Sequence, residues 1–255
     1  MGNLLEVKNL TKKFGGVTAV NDVSFQVGEG EIVAVIGPNG AGKTTLFNMI
    51  SSFIQPTVGE VLFKDQKLTG KKIFDLAPLG ISRTFQNLQI FGNMTVLENV
   101  MMGTSVKLKT NVFSAGFRLP VVKRDENKAY QAAFKVLEMM QLTHLMHEQA
   151  GQLSYGQQKK VEFARAIVYD PALIMLDEPM AGLNDAETNT MAGYISDLKK
   201  KGHSFLFVEH KMATIMQIAD RIVVLDFGTK IAEGTPEEIQ KNEKVISAYL
   251  GEEAI

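Results

Sequence analysis

The chain is expected to adopt an α/β fold: a core with a parallel sheet, an antiparallel β-subdomain beside it and an inserted helical subdomain. Three observations lead there. A glycine-rich loop at residues 37–45 lies between a short apolar run and a helical stripe, in the order strand, loop, helix. Two further apolar runs, 172–177 and 204–209, each end in an acid and flank a helical pattern, which is the rhythm of parallel βαβ units. Over residues 71–150 strand patterns vanish, and helical stripes and methionines replace them.

In chain order, residues 4–10 and 22–27 alternate apolar and polar side chains, as half-buried antiparallel strands do. Lys13-Phe14-Gly15-Gly16 between them is a turn carrying an aromatic. Residues 31–36 are the apolar run before the loop, and Leu46, Met49, Ile50 and Phe53 recur at helical spacing after it. Pro56-Thr57-Val58-Gly59 is a turn and residues 60–64 another strand. Tyr130, Ala133, Phe134, Leu137 and Met140 form a helical stripe, whereas 103–123 has little periodicity and reads as loop or short irregular helix. The helix carrying Met191, Ile195 and Leu198 ends in Lys199-Lys200-Lys201 before Gly202, a solvated end at the negative pole of the helix dipole. Residues 221–233 suggest a hairpin around Asp226-Phe227-Gly228-Thr229. Thr235-Pro236-Glu237-Glu238 is a helix start, and that helix is expected to run to the end of the chain. One large domain is expected, with its core at about 1–86 and 161–255 and the helical subdomain at about 87–160.

Composition narrows the classes. The 255 residues can bury a sizeable core, net charge is −1, and there is no cysteine. A disulfide and a thiolate metal site are therefore excluded, and a nucleic-acid role has no compositional support. No run approaches the roughly 18 apolar residues of a membrane span, and the N-terminus lacks the pattern of a signal peptide. A cytosolic protein is expected, held at a membrane only by a partner.

Gly37-Pro38-Asn39-Gly40-Ala41-Gly42-Lys43-Thr44-Thr45 matches the phosphate-binding loop. Its glycines let backbone N–H groups approach an anion, and the following helix adds the positive end of its dipole. Lys43 supplies a point charge for the outer phosphates, and the Thr44 hydroxyl can ligate Mg²⁺. A nucleoside triphosphate is thus the expected ligand, although kinases, GTPases and motors share the loop. Asp177 ends a buried strand, where a carboxylate can hold Mg²⁺ through water, and Glu178 can orient or deprotonate an attacking water. Ser154 in Leu153-Ser154-Tyr155-Gly156-Gln157 reads as a helix N-cap. From these residues alone the plain cap is the favoured reading; the hydroxyl and glycine amides would otherwise form a second anion site, one that makes sense if it serves another subunit's nucleotide.

Residues 153–157 resemble the signature of ATP-binding cassette (ABC) ATPases, and the ordered set of motifs agrees along nearly the whole chain. The resemblance implies a P-loop NTPase (RecA-like) core, ATP and Mg²⁺. It implies that Phe14 stacks on adenine with Val20 beside it, and that residues 39–45 (Asn39, Gly40, Ala41, Gly42, Lys43, Thr44, Thr45) bind the nucleotide. Gln86 would reach Mg²⁺, the other metal-side residues being Thr44 and Asp177, and would join the core to the helical subdomain. Glu178 would be the catalytic base and His210 the switch histidine. Ser154, Gly156 and Gln157 would touch the partner's nucleotide, and Gly182, Leu183 and Asn184 would lie in the loop crossing a dimer interface. Two positions depart from the family pattern: Tyr155 stands where glycine is commonest, and Asn184 where aspartate is.

A closer resemblance is to the ATP-binding subunits of bacterial branched-chain amino acid importers, the longer of the two types. It rests on Lys13-Phe14-Gly15-Gly16, Arg83-Thr84-Phe85-Gln86-Asn87, residues 94–100, residues 178–184, residues 219–225 and residues 232–238. Related importers of urea or short amides look similar. The implied partners are a second ATPase subunit (a copy or a shorter relative), two transmembrane permeases and, indirectly, an extracytoplasmic solute-binding protein. The implied place is the cytoplasmic face of the inner membrane. Leu88, Ile90, Phe91 and Met94 fit a permease-docking surface and subdomain core equally well. An ABC ATPase that remodels DNA or ribosomes, and a P-loop kinase, are the alternatives. The first lacks its coiled-coil or basic features here, and the second leaves 153–157, Gln86 and His210 unexplained.

Overall fold

A computed structural model describes residues 2–107 and 120–250. Its centre is a six-stranded sheet in the order β10-β9-β3-β8-β7-β6. These strands are β3 (Ile32–Ile36), β6 (Ile81–Arg83), β7 (Leu173–Asp177), β8 (Ser204–Val208), β9 (Arg221–Asp226) and β10 (Thr229–Gly234). All neighbours are parallel except β10, which closes the hairpin on β9. Every residue of β3, β7 and β8 is buried, which is why they read as continuous apolar runs: helices or strands cover both faces.

Successive side chains of a strand point to opposite faces, and the two faces feed two cores. Ile32, Ala34, Ile36, Ile174, Leu176, Phe205 and Phe207 pack with the helices. Those helices are α3 (Val96–Met102), α4 (Pro120–Met139), α5 (Tyr155–Ile167), α6 (Asp185–Lys200), α7 (Met212–Ile218), α8 (Pro236–Gln240) and α9 (Glu243–Leu250). Val33, Val35, Leu173, Met175, Leu206 and Val208 face α1 (Lys43–Ile50) and a second, antiparallel sheet. That sheet runs β2-β1-β4-β5, from β1 (Asn3–Phe14), β2 (Val17–Gly28), β4 (Val58–Phe63) and β5 (Gln66–Lys67). Leu5 pairs with both Val27 and Phe63, and Val7 with both Phe25 and Val61, so one face of the β-layer is apolar throughout.

Several expectations change. β1 and β2 are each 12 residues long, well beyond 4–10 and 22–27. Asn9 and Asp22 adopt positive φ of 49° and 52°, the register slips beside them, and the apolar alternation slips with it. The region read as free of strands contributes β6, which lies parallel to β7 at the sheet edge. It also holds the single-turn helix α2 (Leu76–Leu79). Phe53 lies outside α1 and is exposed. Of the stripe on α4, Ala133 and Leu137 are buried, as is Met140 just beyond its end, while Tyr130 is exposed and stacks on Phe134. Within 103–123, residues 103–107 form a 3-10 turn and 120–123 begin α4. The rest lies outside the described residues. The helix capped by Thr235 stops at Gln240, and a new one starts at Glu243. Asn242 intervenes, its Oδ1 accepting the Lys244 N–H at 3.0 Å, a side-chain bond that competes with helix continuation.

Candidate nucleotide site at the strand ends

The phosphate loop leaves β3 at Gly37. A Cβ there would lie 2.1 Å from the Leu225 carbonyl oxygen, and one at Gly42, with φ 94°, would lie 2.5 Å from that of Ala19. Both positions admit only glycine, so the loop closes tightly against β9 and β2. Lys43, buried, folds its ammonium back over the loop and donates to the Gly37 and Pro38 carbonyls at 2.6 and 2.8 Å. α1 starts at Gly42 with no side-chain cap and no acid in its first turn. In contrast α3, α5, α6 and α8 are closed by Thr95, Ser154, Asn184 and Thr235, each in a reciprocal capping box. No capping side chain and no acid therefore compete with an anion for the start of α1.

A cavity of about 640 Å³ opens over this loop. Asn39, Gly40, Ala41, Gly42, Lys43, Thr44 and Thr45 form its floor, and Gln86, Glu178 and His210 one wall. Glu178 follows β7 with positive φ of 49°, a conformation unusual for a residue with a side chain and common at functional sites. Its N–H donates to the Val208 carbonyl at 2.9 Å, tying it to the end of β8. One carboxylate oxygen accepts from Gln86 Nε2 at 3.2 Å, and the other lies 3.0 Å from His210 Nε2. Three residues separated widely in sequence thus meet because β6, β7 and β8 are parallel neighbours ending at one edge. Such an acid, amide and imidazole beside a phosphate cradle can orient a water and take its proton.

Glu209, read only as the acid ending an apolar run, is a support that sequence reasoning missed. It is 3% exposed. One oxygen accepts the Met180 N–H at 3.0 Å, and the other accepts those of His210 and Lys211 at 2.8 and 3.3 Å. Glu209 so fixes both the loop after Glu178 and the backbone of His210.

Asp177 is buried and does not line the cavity. Its Oδ2 lies 3.6 Å from Arg83 Nη2. Burial pushes its carboxyl above the usual carboxylate range, with the Arg83 guanidinium opposing. Arg83 in turn donates to Asn48 Oδ1 at 2.6 Å and to Ser51 Oγ. Of the residues expected on the metal side, Thr44 and Gln86 line the cavity. Both offer hard oxygens, which suit Mg²⁺ bound chiefly by phosphate and water. Among the described residues no group of three or more His, Asp or Glu could hold an ion alone.

Phe14 sits at the end of β1, half exposed, with the Lys12 ammonium 5.1 Å from its ring centroid. Val20 is fully buried in the β-layer core. Val17, Thr18 and Ala19 line the cavity on this side together with Phe227 and Gly228, and Gly228 packs against the Ala19 backbone. Phe227 is 89% exposed in the β9–β10 turn. The signal for it was an aromatic in a tight turn with nothing to pack against.

Ser154, Gly156 and Gln157 lie apart from this cavity, at the head of α5. Ser154 Oγ accepts the Gln157 N–H at 3.4 Å, and Gln157 Oε1 accepts the Ser154 N–H at 3.0 Å. A Cβ on Gly156 would lie 2.0 Å from Glu187 Oε1, the residue that completes the Asn184 cap of α6. A Cβ on Gly182 would come within 2.7 Å of the Tyr155 ring. The turn at 153–157 and the loop carrying Gly182, Leu183 and Asn184 therefore pack as one surface. Leu183 is buried, and its carbonyl accepts from Lys211 Nζ at 2.9 Å.

Residues 20–181 match the family model of ABC transporters. The chain belongs to the ATP-binding cassettes of ABC transporters. Residues 229–255 of the cassette also match a model described as branched-chain amino acid ATP-binding cassette transporter. The cassette is 43% identical to the high-affinity branched-chain amino acid transport ATP-binding protein BraF of Pseudomonas aeruginosa, over 98% of each chain. It is 44% identical, with the same coverage, to the corresponding protein LivG of Escherichia coli strain K12. Among solved structures, the ADP conformation of an ABC transporter cassette superposes with a TM-score of 0.86, at 35% identity and over 98% and 100% of the two chains. A dimeric bacterial cassette superposes with a TM-score of 0.77, at 26% identity and over 91% and 98%.

Proposed function

We propose that this cassette is the ATP-hydrolysing subunit that powers import of branched-chain amino acids through a membrane ABC transporter. The observation that carries the catalytic part is the meeting of Gln86, Glu178 and His210 over the phosphate loop. The solute is that of the branched-chain amino acid transport proteins BraF and LivG, which match this chain nearly end to end. Permease subunits would hold the cassette at the cytoplasmic face of the inner membrane, since no helix among the described residues is long and apolar enough to cross one.

ATP would lie on residues 39–45, its phosphates against the uncapped start of α1 and the Lys43 ammonium. Mg²⁺, held by Thr44, Gln86 and phosphate oxygens, would neutralise charge developing on the β- and γ-oxygens. Glu178 accepts the proton of a water whose oxygen bonds the γ-phosphorus, while the bond to the β,γ-bridging oxygen breaks and ADP and phosphate leave. His210 contacts the γ-phosphate and, with Gln86, keeps the Glu178 carboxylate aimed. Ser154, Gly156 and Gln157 of a second subunit, identical or a shorter relative, would cover the same nucleotide. ATP would then favour the closed pair and its hydrolysis the open one, and that difference in affinity drives the permeases.

The test is Glu178→Gln, which keeps size and both hydrogen-bond partners but not the base. Turnover should fall by about a hundredfold or more while ATP binding is retained. Phosphate release at near wild-type rate would remove Glu178 as the base.

A further inference from the structure

Two charged side chains on α5 have no part in the chemistry above. Glu162, only 4% exposed, accepts the Gln89 N–H through Oε1 at 2.9 Å. Its other oxygen lies 3.5 Å from the buried Lys159 ammonium. Arg165, on the same side of the helix, donates to the Gln89 carbonyl and lies 5.3 Å from the centroid of the Phe91 ring. Thus α5 holds both backbone groups of a single residue. Asn99 of α3, fully buried, does the same for Phe91: its Oδ1 accepts the Phe91 N–H and its Nδ2 donates to the Phe91 carbonyl, each at 3.0 Å.

On the other side, Thr84 donates its N–H to the Met175 carbonyl of β7 at 3.0 Å. The chain is therefore anchored to the sheet at Thr84 and to α5 at Gln89. Between the anchors the N–H groups of residues 85–88 make no backbone hydrogen bond among the described residues. Gln86 reaches Glu178 from the middle of this unsupported span. A strap this short must move when either anchor moves. Burying a carboxylate is costly, and an apolar residue would pack α5 against its neighbours at less expense. Burial does push the Glu162 carboxyl above its usual range, with the Gln89 N–H opposing.

We propose, on the roles given above to Ser154 and Gln86, that Glu162 and Arg165 are positioning residues that make Gln86 follow α5. The helix is a single rod of 13 residues. Its N-terminus meets the partner's nucleotide and its middle grips the strap that carries Gln86 to its own. Closure of one pocket is thereby reported to the other through a helix and one clamped peptide.

The test uses the full-length chain in ATP turnover at a concentration where it pairs, with Glu162→Leu, Glu162→Gln and Arg165→Met. Glutamine keeps a carbonyl able to accept the Gln89 N–H, and leucine does not. Glu162→Leu and Arg165→Met should each lower kcat by about tenfold or more with KM for ATP changed less than about threefold. Glu162→Gln should restore kcat to within about threefold of wild type. Should Glu162→Leu fail to fold, the half-buried Arg165 still gives the answer. Unchanged kcat, KM rising in step with the loss, or failure of glutamine to restore it would overturn the proposal. Glu178→Gln in the same assay separates the two ideas. If it still turns over, the site is misread. If it is dead while the α5 variants match wild type, only the clamp is wrong.

Discussion

Gly40 and Gly42 both have positive φ, 78° and 94°, yet a Cβ at Gly40 meets nothing within 4 Å while one at Gly42 strikes the Ala19 carbonyl. Alanine at 40 carries backbone strain alone. Alanine at 42 adds a clash with backbone that cannot yield, so Gly42→Ala should cost about 1–3 kcal/mol of stability. It should also weaken ATP binding by about tenfold or more, with Gly40→Ala milder in both. Nucleotide titration and thermal melts check this, and equal effects at the two sites would contradict the packing described. At this scale the phosphate loop and Glu178 were legible, because each chemistry demands a residue type at the end of a recognisable strand, whereas Gln86 and His210 drew their roles from the family resemblance alone. Phe227 and Val17–Ala19 were not, since their place in the cavity depends on where two hairpins fold back. Asp177 shows the same gap. Its position at a strand end was readable, but the Arg83 that faces it comes from β6, a strand too short to leave a pattern.

Among the elements, α5 carries most of the functional argument. Its first turn caps the helix and, on the proposed pairing, would also meet the partner's nucleotide, and substitution separates the two. Ser154→Thr keeps the hydroxyl cap, and Ser154→Ala loses it at a cost of about 1 kcal/mol. Ser154→Arg loses the cap and also sets a bulky cation where the partner's phosphates would lie. ATP-dependent dimerisation, followed by light scattering in a Glu178→Gln background, should survive in Ser154→Thr and vanish in Ser154→Arg, although each arginine variant alone still binds ATP at residues 39–45. Dimerisation of the arginine variant at wild-type strength would refute the shared pocket. Ser154 and Thr235 announced their helices because Ser or Thr followed three residues later by Gln or Glu is a local signal. Asn184 with Glu187 is the same device in another residue type, and its loop position hid it. The lengths of β1 and β2 were obscured for the opposite reason: bulges at Asn9 and Asp22 break the period of two that identifies a strand.

For the molecule as a whole, alternation along β3, β7 and β8 divides the side chains between a helical core and a β-layer core. The parallel core followed from apolar runs alternating with helical stripes, and its antiparallel neighbour from apolar–polar alternation. The strand order, which brings Gln86, Glu178 and His210 to one edge, did not, because it is set by which faces pack and not by any local pattern. What one chain does not bring to its own cavity is the surface at 153–157 and 182–184, which lies elsewhere and is built from two mutually packed caps. The direct measurement is ATPase activity per subunit against subunit concentration, taken with saturating ATP and Mg²⁺. Shared pockets predict a rate per subunit that rises with concentration and levels off as pairs form, approaching zero on dilution. A rate per subunit that stays constant down to concentrations at which the protein sediments as a monomer would contradict them.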